Sequence, residues 1–319
     1  SLQFGLSIKS ETNVGALTNI DAAYTKNNLN DLAGEFRATA GIGSEPELSA
    51  GIYQPLNVNL DFFVSAKAGL HTTIFPNTIN NKVDSIERFH RTYIDLSTGK
   101  ILDQTTQFTF GYFHSDGYTD TISGNSLFSD GDFREGLLYA SVFHDSLDNL
   151  SFPNTGFFGG LGFKASQEKL GADSDYEQIQ LILSGAGTYR RYTVFTRAIL
   201  ETTINEDAPF NALFRRGGFL ELSGSLDRDL AGQNFSLIEA ACYKRLGNIT
   251  FLPIYTGFSV ETGNAWKRLS DISADNTILA GSIFIGADTF IGPLYMAFGF
   301  NDDGQQALYF NIGQTFLGK

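Results

Sequence analysis

Leu308-Tyr-Phe-Asn-Ile-Gly-Gln-Thr-Phe316 is the stretch that decides the fold. Leu308, Phe310, Ile312 and Phe316 fall on one face at period two, while Asn311, Gly313 and Thr315 fall on the other. An apolar face ending on an aromatic residue, opposed by a polar or small face, suits a strand with lipid on one side and water on the other. Late in the chain, such a strand is placed to close a barrel against the first one.

The same alternation runs back through the sequence. Leu2, Phe4, Leu6 and Ile8 oppose Gln3, Ser7 and Lys9. Leu60, Phe62, Val64, Ala66, Ala68 and Leu70 oppose Asp61, Ser65, Lys67 and His71, and Phe108, Phe110 and Tyr112 oppose Gln107 and Thr109. Clusters of Gly, Asn, Asp and Ser interrupt the pattern and predict sixteen strands. They run over 2–10, 17–26, 32–43, 48–56, 60–74, 87–97, 105–115, 133–144, 156–169, 176–190, 192–204, 232–246, 253–264, 277–289, 292–301 and 305–316. The strand at 87–97 is polar enough to read also as a loop. In the strand at 253–264, Tyr255, Gly257, Ser259, Glu261 and Gly263 share a face read as the lumen, opposite Ile254, Phe258 and Val260. Glu239 breaks the rule, because it lies in phase with Phe235, Leu237 and Ala241, which read as lipid-facing.

The expected fold is therefore all-β, a sixteen-stranded antiparallel transmembrane barrel forming one domain over 1–319, with an interior wide enough to be wet. Links after even-numbered strands are short, at 27–31, 57–59, 189–191 and 289–292. Those after odd-numbered strands are generally long, at 76–86, 116–132 and 205–231, although 12–16 and 44–47 are short. Short periplasmic turns and long outer loops give this asymmetry. An even strand count then puts both termini in the periplasm.

Composition narrows the function. A net charge of −13 argues against nucleic acid as a partner. No run of 18 apolar residues offers a membrane helix. Cys242 is the only cysteine, which excludes an intrachain disulfide and a cysteine metal site. No signal peptide is visible, so the chain reads as a mature or truncated piece of an exported protein. His71, His90, His114 and His144 lie on separate strands without metal-ligand spacing, and no cofactor is expected. The acidic residues Asp116, Asp120, Asp130 and Asp132 read as a solvated outer loop, or as a divalent-cation site beside lipopolysaccharide. No Gly-x-Ser-x-Gly elbow occurs, so no catalysis by this chain is expected.

The segment 205–231 reads as the sixth outer loop and carries Arg215-Arg-Gly-Gly-Phe219. Two arginines beside two glycines form a tight turn that presents guanidinium donors. The expectation is that Arg216, or Arg215, reaches into the lumen and pairs with Glu261, folding the loop inward. The alternative is that the arginines are solvated loop charges.

Three motifs together resemble the bacterial surface antigen superfamily, the POTRA-linked sixteen-stranded barrels that insert or secrete proteins at the outer membrane. They are the closing Phe310–Phe316 strand, the Arg-Gly-(Gly)-Phe loop and Val260-Glu-Thr-Gly263. A closer likeness, carried by Glu45-Pro-Glu-Leu, Tyr53-Gln-Pro-Leu56, Arg216–Gly224, Leu230–Gln233 and Gly286–Tyr295, is to the translocator barrel of patatin-like type Vd autotransporters. The resemblance implies an upstream signal peptide, a patatin phospholipase passenger and one POTRA domain. It implies that Arg216 is the loop arginine, Glu261 its acceptor and Phe316 the terminal aromatic of a closing signal read by the outer-membrane assembly machinery. The second glycine leaves Arg215 and Arg216 undistinguished as the anchor, and Leu317-Gly-Lys319 runs past the usual terminal aromatic.

The function expected is an outer-membrane anchor and translocator for a fused passenger, in contact with lipid and lipopolysaccharide and compatible with a homodimer. The seam would pair Leu308–Phe316 with Leu2–Lys9, weakened by Gly5 and Gly313. An assembly insertase, a two-partner secretion pore and a diffusion porin are the alternatives, with a soluble adhesive β-protein as the structural one.

Overall fold

A computed structural model describes residues 2–11, 15–79, 82–124, 131–249, 252–289 and 292–313. Sixteen strands close into one antiparallel barrel. In chain order they are β1 (Leu2–Glu11), β2 (Gly15–Lys26), β3 (Glu35–Gly43), β4 (Glu47–Pro55), β5 (Phe62–Ile79), β6 (Lys82–Leu102), β7 (Thr106–Gly124), β8 (Gly131–Asp145), β9 (Gly156–Ser166), β10 (Tyr176–Tyr189), β11 (Tyr192–Ile204), β14 (Asn234–Ile249), β15 (Leu252–Trp266), β16 (Ile278–Thr289), β17 (Gly292–Asn301) and β18 (Gln306–Ile312). Two short strands, β12 (Phe214–Arg216) and β13 (Leu230–Gly232), pair with each other inside the 205–233 connection.

Alternation puts apolar side chains on the outer wall, as the strand pattern requires. Phe62, Val64, Leu70, Ile94, Leu96, Phe108, Phe110, Phe258 and Val260 are all exposed there. This band is suited to a bilayer, where a charged side chain at the midplane would cost ~2–4 kcal/mol.

The polar stretch at 87–97 is strand as expected, part of the longest strand, β6. Three other expectations about the wall change. The residues read as outer loops at 76–86 and 116–132 largely continue β5, β6, β7 and β8 as paired strand. Their outer face turns from Ile94 and Leu96 to Arg88 and His90, both bonded to Asp120. Hydrogen-bonded sheet thus continues past the apolar band, where water tolerates charge. Asp120 is thereby committed to Arg88 and His90, Asp116 lies 3.4 Å from His114, and Asp130 lies outside the described residues. Link lengths also do not alternate as expected: 27–34 and 146–155, both after even-numbered strands, are long.

The third change concerns β14. Phe235, Leu237, Glu239, Ala241 and Tyr243 are buried, while Ile238 on the other face is 62% exposed. The apolar face therefore points inward, and Glu239 is in phase because it too faces the lumen. The phase was misread because the interior here is packed rather than wet.

Among the described residues, β1 and β18 meet antiparallel through Ile8↔Ile312, Lys9↔Asn311, Ser10↔Phe310 and Glu11↔Tyr309, so the first and last strands close the barrel. Gly5 pairs with Asp21 of β2, and the stretch of the closing strand that would face it across the seam lies outside the described residues. Gly313, the last described residue, has φ +82° and donates its N–H to Pro293 O at 2.8 Å. Leu308 is exposed, Phe310 half-buried, and Ile312 is buried between Ile8 and Leu294. Phe316 lies outside the described residues.

Candidate functional site

The 205–233 connection lies inside the barrel, because its side chains bond inward-facing residues on strands around the whole wall. Gly217 and Gly218 open the turn at φ +133° and +94°. A Cβ at Gly217 would sit 2.2 Å from Leu226 O. Leu220 and Leu222 follow at φ +64° and +72°, both buried. Left-handed leucines are uncommon and persist only where the surroundings fix them. Here the fixing contacts are visible. Phe219 packs against Phe284, Tyr295 and Tyr309 at ring separations of 5.6, 5.5 and 6.0 Å. Leu222 joins Phe214, Ile199, Phe235 and Leu237 in an adjoining apolar cluster.

The arginines do not pair with Glu261. Arg216 donates from Nε and Nη2 to the two oxygens of Glu201 on β11, at 3.1 and 2.5 Å. Its Nη1 lies 3.8 Å from Glu221. Arg215 instead lays its guanidinium over Phe75 and Phe210, 3.8 and 4.5 Å from the ring centres, and reaches Asn77 Oδ1 at 3.4 Å. The adjacent arginines point to opposite sides because successive strand residues do, and β12 is a strand.

Glu261 does hold the loop, through Ser223. Its carboxylate accepts from Ser223 N at 2.7 Å, Ser223 Oγ at 2.8 Å and Ser259 Oγ at 2.5 Å. A backbone N–H and two hydroxyls satisfy a buried carboxylate without a counter-ion. Gly263, two residues on, is bare because a Cβ there would meet Ser236 O at 1.9 Å. Across the strand pair, Glu261 faces Glu239. The cation beside Glu239 is Arg197 of β11, bonded to it at 2.8 Å and donating to Leu220 O at 2.6 Å.

Further contacts carry the loop to both sides of the seam. Lys9 on β1 pairs with Asp227 at 3.1 Å. Tyr309 on β18 accepts from Gly224 N at 2.8 Å and donates to Ser225 O at 2.7 Å. Arg228 pairs with Glu45 in the β3–β4 link, and Asp229 accepts from Thr78 Oγ1 at 2.9 Å. Thr78 lies near the tip of the β5–β6 hairpin, past the apolar band, and burial pushes the Asp229 carboxyl up to about 6.

Arg197, Glu201, Ser223, Lys9 and Tyr309 were missed by sequence reasoning. One signal was available: Phe195, Arg197, Ile199 and Glu201 share a face of β11. A face that mixes two charges with Phe and Ile suits neither lipid nor open water, so it needs an internal packing partner. Among the described residues, no group of three or more His, Cys, Asp or Glu is placed to hold a metal ion.

Neither a protein-family model nor a curated protein matches the sequence. Among solved structures, BamA from Haemophilus ducreyi lacking POTRA domains 1-3 is similar, with a TM-score of 0.76 and 12% identity over 98% of this chain and 69% of that one. CdiB from Acinetobacter baumannii (12% identity) and CdiB from Escherichia coli (14%) each superpose with a TM-score of 0.65, over 98% of this chain and 60% and 62% of theirs. The chain thus has the closed sixteen-stranded barrel fold that BamA and CdiB share.

Proposed function

We propose that the chain is the membrane barrel of an outer-membrane protein that inserts or translocates polypeptide. The fold shared with BamA and CdiB supports this reading. The observation that carries it is the coupling of the internal loop to the seam. The first and last strands, which meet at the closing seam, are strands that grip the loop, through Lys9 and Tyr309. A barrel built for passive diffusion has no use for a lumen segment tied to both strands of its closing joint.

In the finer form of this reading, the barrel anchors and helps export a polypeptide fused upstream, by motif resemblance a patatin-like phospholipase, with one POTRA domain also upstream of the barrel. Both termini are periplasmic, and hydrolysis belongs to the passenger rather than to the barrel. The assembly machinery reads the closing strand, and lipid and lipopolysaccharide contact the apolar band.

A seam lock tests this. Ser10 and Phe310 lie directly opposite each other. Ser10→Cys with Phe310→Cys, in a Cys242→Ser background of the full-length protein, is expected to abolish delivery of the passenger to the cell surface when oxidised and restore it on reduction. Delivery unchanged with the disulfide closed would rule out seam opening as a required step.

A further inference from the structure

The 205–233 loop is not the only segment inside the barrel. The 146–155 turn joins β8 to β9, at the opposite end from the loop, which follows β11. Its own side chains fix its shape. Asp148 Oδ1 accepts from Asn154 N and Thr155 N at 2.8 and 3.0 Å, and Asn149 Oδ1 accepts from Ser151 N and Phe152 N at 2.7 and 2.9 Å. Asn149 sets Phe152 pointing up the lumen, where it is fully buried.

The wall receives it with matched groups. Phe152 stacks on Tyr255 at 4.1 Å and 10°, and lies 5.0 Å from Tyr295. Tyr295 OH donates to Ser151 O at 2.5 Å, and Tyr243 OH donates to Pro153 O. Gly286 leaves the space, since a Cβ there would come within 2.7 Å of the Phe152 ring. Tyr255, Gly286 and Tyr295 each lie three residues from that end of their strands. Phe152 therefore enters roughly 10 Å. Phe219 of the loop arrives from the other end and packs on the same Tyr295.

We propose that the 146–155 turn and the 205–233 loop are two halves of one lumen seal that meets on Tyr295, and that this half of the barrel opens when Phe152 withdraws. The seal concerns passage through the lumen, so it stands independently of which polypeptide the barrel serves. Two parties hold it shut. The turn is a short strap reachable from its own end, and the loop is the element tied to the seam. Opening at one end removes a ring contact from the aromatic residue that also supports the other.

Planar-bilayer conductance of the purified, refolded chain tests it. The unmodified chain is expected to stay closed apart from rare events. Phe152→Ala removes the plug, and Gly286→Ala displaces it by collision without removing it. Each is expected to raise mean conductance at least tenfold. Leu150→Ala, on an exposed residue of the same turn, is expected to leave it unchanged. Heat-modifiable mobility on gels certifies that each variant is a folded barrel. Steady large conductance from the unmodified chain, a folded Phe152→Ala or Gly286→Ala barrel as closed as the parent, or an equal rise in Leu150→Ala overturns the proposal.

Discussion

The partner of the loop arginine is open to a double-mutant cycle. Arg216 grips both oxygens of Glu201, which is 3% exposed and otherwise accepts from Gln180 Nε2 at 3.2 Å. Arg216→Met therefore strands a buried carboxylate with one neutral donor, at a cost of about 3–4 kcal/mol. Glu201→Gln leaves Arg216 with Glu221 at 3.8 Å and a quarter of its side chain exposed, so about 2 kcal/mol is expected. Because each single change strands what the other removes, the pair should cost less than the sum by about 2 kcal/mol. Glu261→Gln weakens the Ser223 and Ser259 bonds instead. It shares no bond with Arg216, so the Arg216–Glu261 cycle should close within about 0.5 kcal/mol. The measurement is denaturant unfolding in detergent micelles, read by gel mobility and tryptophan fluorescence, with slopes compared to confirm that the same transition is followed. An Arg216–Glu201 coupling below about 0.5 kcal/mol, or an Arg216–Glu261 coupling above about 1 kcal/mol, would refute the assignment.

Two further outcomes follow from single contacts. Tyr309→Phe keeps the ring against Phe219 and deletes a hydroxyl with two buried backbone partners, so stability in the same assay should fall by about 1–3 kcal/mol. Asp229 gives a pH dependence: its carboxyl is raised from 3.8 to about 6 by burial, so the docked loop binds a proton that the unfolded chain has released. Stability from this group therefore declines as pH rises from about 4 to 6, by no more than roughly 3 kcal/mol. Asp229→Asn should flatten that slope, and an unchanged pH profile would show that the carboxyl is not held as described.

The wall was legible in the sequence because its physics is local. A strand between lipid and water must alternate, and Phe62, Val64, Phe258 and Val260 point outward as alternation requires. Alternation assigns a side, however, only when the two sides differ in polarity. At β14 they do not, because Phe235, Leu237 and Tyr243 face an interior filled by the loop and the turn. The loop was found from its glycines and arginines, but its partners were not. Arg216 meets Glu201 rather than Glu261 because Gly217 and Gly218 reverse the chain immediately afterwards, bringing Ser223 instead to Glu261. Phe152 carried no signal at all, since one phenylalanine in a polar turn looks like any loop residue until Tyr255 and Tyr295 are brought over it.

The contacts on either side of the seam are unequal, and that inequality sets an order of events if the seam opens. Separating β1 from β18 pulls Lys9 away from Asn311 while the loop holds both strands. On the β1 side the tie among the described residues is the ion pair Lys9–Asp227, with side chains 16% and 22% exposed. Partial exposure to water limits such a pair to about 1 kcal/mol. On the β18 side Tyr309 makes two buried hydrogen bonds and packs on Phe219, and beside it Asn301 and Gln305 both reach Ser225. The β1 tie should therefore release first, and the loop should stay with β18. Lys9→Met and Asp227→Asn each cut the Lys9–Asp227 pair, the second also releasing Arg228 Nε at 3.7 Å, and each should raise cysteine labelling of a Ser10→Cys reporter on β1. Labelling at Ala307→Cys on β18 should remain low in both. Early exposure of Ala307 would mean that the loop travels with β1 and that the balance of contacts has been weighed wrongly.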